Sequence, residues 1–136
     1  MKNGRFVDGG FETWFKDGRY HREDGPAVIW PSGLQVWYRN GISHKEDGPA
    51  EIFGDGSCFW YKDGELHRDG GPSVIWNHGK KEWHINGKRH NDSGPALIYG
   101  NGEEEYYLNG VRLSFDKWFS KINDKERLSF LFGVGE

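Results

Sequence analysis

Along most of the chain, apolar and polar residues alternate over short runs, and each run stops at a turn containing glycine. Ala27-Val28-Ile29-Trp30 and Gln35-Val36-Trp37-Tyr38 typify these runs, which are rich in β-branched and aromatic residues and too short for helices. Two kinds of turn separate them. Ser32-Gly33, Asp55-Gly56, His78-Gly79 and Asn101-Gly102 are the first kind, and Asn40-Gly41, Asp63-Gly64, Asn86-Gly87 and Asn109-Gly110 the second. Asn-Gly and Asp-Gly between β-prone runs predict hairpins, because a type I′ turn needs positive φ at both central residues. If both kinds are two-residue turns, Val28 sits opposite Trp37, Trp30 opposite Gln35 and Trp37 opposite His44, all on one face. Ala27, Ile29, Val36 and Tyr38 then take the other face, and the product is an antiparallel meander.

The pattern repeats every 23 residues without insertion or deletion from Gly10 to Gly110. His21, His44, His67 and His90 form one column, and Trp14, Trp37, Trp60, Trp83 and Tyr106 form another. Pro26, Pro49, Pro72 and Pro95 recur within HREDGPA, HKEDGPA, HRDGGPS and HNDSGPA, where a Gly-Pro step should kink the strand and curve the sheet. Met1 to Gly9 is expected to be a frayed lead-in, with Arg5-Phe6-Val7 its one candidate edge strand. After Gly110 the register ends. Val111-Arg112-Leu113 continues the strand, with Leu113 in the histidine column. Ser114 or Asp116 can then cap a helix bearing Phe115, Trp118, Phe119 and Ile122, and Asp124 can cap a second with Leu128, Leu131 and Phe132 turned inward. The expected fold is mainly β: a single curved antiparallel β-meander of 23-residue hairpin repeats with a short C-terminal helical cap. One domain spans 1–136, with the lead-in over 1–9, repeats over 10–110, and strand and cap over 111–136.

An aromatic residue followed by Gly three residues later and His three after that (Tyr38, Gly41, His44; Tyr61, Gly64, His67), at this period, resembles MORN repeats. The family's His-Gly-x-Gly is replaced here by His-x-x-Asp-Gly-Pro-Ala or a near variant. That variant, with its WY-x-NG core and helical end, is similar to repeat proteins encoded by bacteriophages and giant viruses. The resemblance implies an elongated β-hairpin scaffold for protein contacts. It also implies a viral protein that binds and inhibits or adapts a host protein in the host cytoplasm.

Composition narrows the alternatives. In the three repeat columns lie 14 of the 21 glycines, so glycine marks turns and not low complexity, and 16% aromatic residues exclude a solvating tail. A formal charge of -3 and a pI near 6.1 argue against nucleic acid or an anionic membrane as partner. MKNGRFVDGG does not resemble a signal peptide, no apolar run approaches a membrane span, and the single Cys58 cannot form an internal disulfide, so the chain reads as cytoplasmic.

Candidate chemistry is sparse. The four column histidines recur about 10 Å apart by strand spacing, too far to share a metal, and are expected to pack beside tryptophan and donate to a backbone carbonyl. Their acidic neighbours Glu23-Asp24, Glu46-Asp47, Asp69 and Asp92 read as turn formers, and Cys58 as a partly exposed, non-catalytic thiol. No nucleophile set or cofactor motif appears, so a non-enzymatic binding protein without cofactor is expected. Its candidate surfaces are two. Trp14, Trp37, Trp60 and Trp83 are expected to share an aromatic face with Trp30, Phe53, Trp76 and Tyr99. Glu82, His84, Glu103, Glu105 and Tyr107 break the repeat late in the chain and are expected to form an acidic patch for a basic partner. The partner is expected to be a protein. A stacked small ligand or a homodimer through the aromatic face are the alternatives.

Overall fold

The computed structural model describes residues 1–133. Strands β1 (Gly4–Asp8), β2 (Phe11–Lys16) and β3 (Arg19–Tyr20) open the chain. The next repeats supply β4 (Val28–Ile29), β5 (Gln35–Val36), β6 (Tyr38–Arg39), β7 (Ile42–Ser43), β8 (Glu51–Ile52), β9 (Cys58–Phe59), β10 (Tyr61–Lys62) and β11 (Glu65–Leu66). Then come β12 (Val74–Ile75), β13 (Lys81–Glu82), β14 (His84–Ile85), β15 (Lys88–Arg89), β16 (Leu97–Ile98), β17 (Glu104–Leu108) and β18 (Val111–Leu113). Helices α1 (Phe115–Lys121) and α2 (Asp124–Phe132) follow.

The main sheet is an open antiparallel meander in the order β1-β2-β4-β5-β8-β9-β12-β13-β16-β17-β18, with β3 paired to β2. In the three middle repeats the run typified by Gln35-Val36-Trp37-Tyr38, expected to be one strand, is divided in two, whereas β2 and β17 are unbroken. Trp37 turns its N–H to the carbonyl of Ala50, and the chain then leaves the main sheet to form the separate hairpin β6-β7. β10-β11 and β14-β15 do the same one and two repeats later.

The two kinds of turn differ, and the difference corrects the expected register. Asn40 and Gly41 have φ of 51° and 78°, so this turn is a two-residue type I′ connection, as expected, and Trp37 does face His44. At Ser32-Gly33 only the glycine is left-handed, with φ 93°. The Gly33 N–H bonds to Trp30 O and the Trp30 N–H to Leu34 O, which makes a three-residue loop with a glycine bulge. Its extra residue moves Val28 opposite Val36 and Ile29 opposite Gln35. A one-residue slip exchanges faces. Thr13, Val28, Val36, Glu51, Phe59, Val74, Glu82, Leu97 and Glu105 therefore form one continuous row of partners, here called the valine face. Ile29, Ile52, Ile75 and Ile98, with Gln35, Cys58 and Lys81 between them, form the isoleucine face.

Successive repeats are joined by a bond that the sequence does not predict. The backbone N–H that opens each type I′ turn donates to Nδ1 of the histidine one repeat earlier. Asn40 bonds to His21 at 2.9 Å, Asp63 to His44 at 3.1 Å, Asn86 to His67 at 2.9 Å and Asn109 to His90 at 2.9 Å. Accepting at Nδ1 fixes the ring proton on Nε2, which donates to Glu23, Glu46 or Asp69 at 2.7, 3.0 and 3.2 Å in the first three repeats. The histidines thus accept from a turn and do not donate to a carbonyl. Three of the acidic neighbours, Glu23, Glu46 and Asp69, orient the imidazole.

The N-terminal residues are not frayed. β1 pairs with β2 over its whole length. Asn3 Oδ1 accepts the Asp17 N–H at 2.9 Å, the acceptor role that a column histidine takes for each later turn, and Lys2 O accepts the Gly18 N–H at 2.9 Å.

The core lies along the valine face and at the corner where each hairpin departs. Val28, Val36, Val74 and Leu97 are buried there with Ala27, Ala50, Ser73 and Ala96. At the C-terminal end α1 is capped by Ser114, as expected, and α2 by Asn123 in place of the expected Asp124. Trp118 is fully buried against Tyr106 and Phe130, and its Nε1 donates to Asn91 O at 2.8 Å. Phe130 is the residue of α2 that points inward, whereas Leu128, Leu131 and Phe132 are exposed, contrary to the expected helix face.

Replacing His44 by Ala removes the acceptor of the Asp63 N–H and should cost about 1 kcal/mol, because an unmet donor loses a typical net hydrogen bond. His44→Asn, which offers an amide oxygen as Asn3 does, should recover part of that loss. Urea unfolding of the two variants measures both effects.

Candidate functional site

The late breaks in the repeat meet on the valine face. Glu82, His84, Glu105 and Tyr107 come together there on β13, β14 and β17, while Glu103 stands apart in the exposed loop before β17. The buried Glu82 accepts from Trp76 Nε1 at 2.8 Å and from Arg89 at 3.3 Å, with Lys80 at 4.0 Å. Glu105 accepts from Tyr99 at 2.8 Å and Tyr107 at 2.9 Å, with Arg112 at 3.7 Å. The Tyr99 bond holds the Glu105 carboxyl below its ordinary value and lifts the Tyr99 phenol above its own. Arg89 also reaches Tyr107 OH at 3.4 Å. Glu82 and Glu105 therefore each have a cation within 4.0 Å. Of the expected acidic patch, Glu82, Glu105 and Tyr107 thus belong to a network of hydrogen bonds and ion pairs in which Trp76, Tyr99 and Tyr107 donate through their polar tips.

A second pair of breaks belongs to the same network. Ser73 stands in the Ala27, Ala50, Ala96 column, and His84 in the Phe15, Tyr38, Tyr61, Tyr107 column. Ser73 Oγ lies 2.7 Å from His84 Nδ1 and donates to the Glu82 carbonyl at 3.2 Å. The smaller imidazole leaves room for the hydroxyl, and the hydroxyl meets a ring nitrogen that tyrosine would not carry. Ser73 is 0% exposed, so no substrate reaches it and the pair is a packing unit. Burial holds the His84 imidazole below the ordinary histidine value, against the opposing pull of Glu82. Glu51, which occupies the same row, has its carboxyl raised by burial.

The register separates the two aromatic ladders. Trp30, Phe53 and Trp76 lie on the valine face, where Phe53 and Trp76 both contact Phe59 and Trp76 bonds Glu82. Trp14, Trp37, Trp60 and Trp83 lie on the isoleucine face, Trp14 directly across from Arg5. There a cation from the following loop covers the ring: Arg22 over Trp14 at 3.9 Å, Lys45 over Trp37 at 4.2 Å and Arg68 over Trp60 at 4.0 Å. Each such contact is worth about 0.5–1 kcal/mol at an exposed site. Tyr106, the last ring of this column, is covered by Trp118 at 4.8 Å. Two clefts open between successive loops on this side, of about 330 Å³ beside Trp60 and about 700 Å³ beside Trp83.

The half-buried Cys58 donates to Gly56 O at 3.4 Å, and burial pushes its thiol up, away from the reactive thiolate. Among the described residues no three His, Cys, Asp or Glu side chains could hold one metal ion, and no helix is long and apolar enough to cross a membrane. No protein-family model matches the chain, and no curated protein matches it significantly.

The Ser73 and His84 pair sets a pH dependence. The folded-state value of His84 lies below the ordinary 6.5, so above 6.5 its contribution to stability is complete. Below 6.5 the unfolded chain takes up the proton first, and stability falls until the folded value is passed. Ser73→Ala alone should cost about 1–3 kcal/mol through the orphaned ring nitrogen. The double variant Ser73→Ala with His84→Tyr restores the repeat pattern. It should regain most of that stability and lose less than the parent between pH 7 and pH 5. Thermal melts at the two pH values check both expectations.

Proposed function

We propose that the chain is a non-enzymatic protein-binding repeat array whose contact surface is the N-terminal half of the valine face. The carrying observation is the contrast between the two halves of that face. Toward the C-terminus its rings and carboxylates are consumed by one another. Toward the N-terminus the same columns hold aromatic residues that contact one another, with Lys2 over Phe6 and Phe15, and several of them remain accessible. Phe11 contacts Trp30 at 5.0 Å, Phe15 contacts Tyr20 at 4.9 Å, and Tyr20 contacts Tyr38 at 5.2 Å. Trp30 is 43% exposed, Phe6 40%, and Phe11 and Tyr20 38% each. Contiguous exposed aromatic surface of this kind marks interaction sites, and tryptophan and tyrosine are their usual anchors.

The histidine and acid columns support the same reading by their employment, since the histidine Nδ1 atoms join repeats and the first three acids orient those rings. The repeat motif supports grouping the chain with the MORN-like arrays of phages and giant viruses. On that grouping the partner is a host protein that is inhibited or adapted in the host cytoplasm.

Native mass spectrometry of the tagged protein, recovered gently from the cells in which it acts, should show a complex with a second protein. Phe11→Ala with Trp30→Ala should remove that complex while the melting temperature stays within a few degrees, since truncating a central anchor costs about 2 kcal/mol of binding. A complex indifferent to the double variant, or a protein recovered bare, would overturn the reading. A mass of two chains would assign the face to self-association.

A further inference from the structure

The ring column Trp14, Trp37, Trp60, Trp83, Tyr106 is covered at every position but one. Cations from the loops lie over the first three rings and Trp118 lies against the last. At Trp83 the residue equivalent to Arg22, Lys45 and Arg68 is Asn91. Its amide is turned elsewhere: Nδ2 donates to Pro95 O at 2.9 Å and Oδ1 accepts from the Ser93 N–H at 2.9 Å. Among the described residues no cation and no second ring covers Trp83. The ring instead lines the cleft of about 700 Å³, with Ile85, His90, Asn91, Asp92 and Ile98.

From this we propose that the cleft at Trp83 is a binding site for a cationic side chain, an arginine presented by a partner protein. The occupant's chemistry is read from the chain itself, because three equivalent rings each hold a cation at about 4 Å, two of them guanidinium groups. The charge around the cleft favours the same occupant. Asp69 and Asp92 line it, whereas Arg68, which also lines it, is committed to the Trp60 ring and to Pro72 O at 3.0 Å. A guanidinium entering here would stack on the indole and meet two carboxylates, a combination that discriminates against neutral side chains. Only the naming of a protein as the source of the arginine rests on the function proposed above. The site lies on the opposite face from Phe11 and Trp30.

The test uses the full chain and N-acetyl-arginine methylamide as probe, read by the indole N–H resonances in a proton–nitrogen correlation spectrum, with Trp83 assigned from the peak lost in Trp83→Phe. Titration should shift the Trp83 resonance saturably, with millimolar affinity, and the neutral citrulline analogue should bind at least tenfold more weakly. Asn91→Arg should abolish the shift by supplying the cation internally. This arginine has a structural precedent, since Arg22 and Arg68 bond Pro26 O and Pro72 O as Asn91 bonds Pro95 O. Arg68→Asn should create a second responding indole at Trp60. A Trp83 resonance that does not move, an equal response to citrulline, or an Asn91→Arg protein that still binds would each overturn the proposal. Those results would leave the Phe11 and Trp30 surface untouched, just as a protein recovered without partner would leave this cleft's response to arginine unchanged.

Discussion

The hydrogen bond from a turn N–H to the histidine one repeat earlier is the contact on which the array depends. A type I′ turn points the N–H of its first residue away from its own hairpin, so that donor needs a partner from outside. The partner is always the preceding repeat: His21 serves Asn40, His44 serves Asp63, His67 serves Asn86 and His90 serves Asn109. The adjacent glycine follows the same rule, since the Gly41, Gly64, Gly87 and Gly110 N–H groups donate to Tyr20, Ser43, Leu66 and Arg89 carbonyls. No two-residue hairpin of this kind stands alone in water. Each is held by its neighbour, which makes stability a property of the stack.

That dependence accounts for both ends of the repeat array. At the start Asn3 and Lys2 provide the side-chain and backbone acceptors that a preceding repeat would provide. At the end Leu113 stands in the histidine column and offers no acceptor, so a further hairpin could not be joined in the same way. The isoleucine face of the last repeat is then closed by Trp118, which packs on Tyr106 and bonds the Asn91 carbonyl, and Arg127 ties α2 back to the Phe119 and Ser120 carbonyls. Elongation stops where the acceptor is lost, and helices take over the covering.

Period, turn positions and strand content were legible because each rests on local chemistry repeated four times or more. Register was not. Ser32-Gly33 and Asn40-Gly41 look alike as dipeptides, yet Asn40 adopts positive φ and Ser32 does not, which changes a two-residue loop into a three-residue one. That single residue carried the tryptophan ladders to opposite faces and brought Val36 across to Val28. The histidine bond was hidden for a different reason, since its partner lies 19 residues away and is a backbone group with no side-chain signature. Ser73 had a signature: its column breaks in the same repeat as that of His84, and two breaks that fit each other in size and polarity are a contact signal even within one sequence.

The variation between repeats has a direction. Columns that join repeats are kept, whereas columns on the faces change along the chain, from phenylalanine, tyrosine and valine near β2 and β5 to histidine, arginine and glutamate near β13 and β17. An open sheet with no second layer must keep two partly apolar faces in water. The C-terminal repeats meet this constraint on the valine face by giving every ring a polar tip and every carboxylate a donor, as at Trp76, Glu82, Tyr99 and Glu105. On the isoleucine face the rings are instead shielded by the stems and charges of Arg22, Lys45 and Arg68. Where neither device is present, at Phe11 and Trp30 on one face and at Trp83 on the other, apolar ring surface is left to solvent. A repeat that elsewhere covers its rings locates its contacts by the places where the cover is omitted.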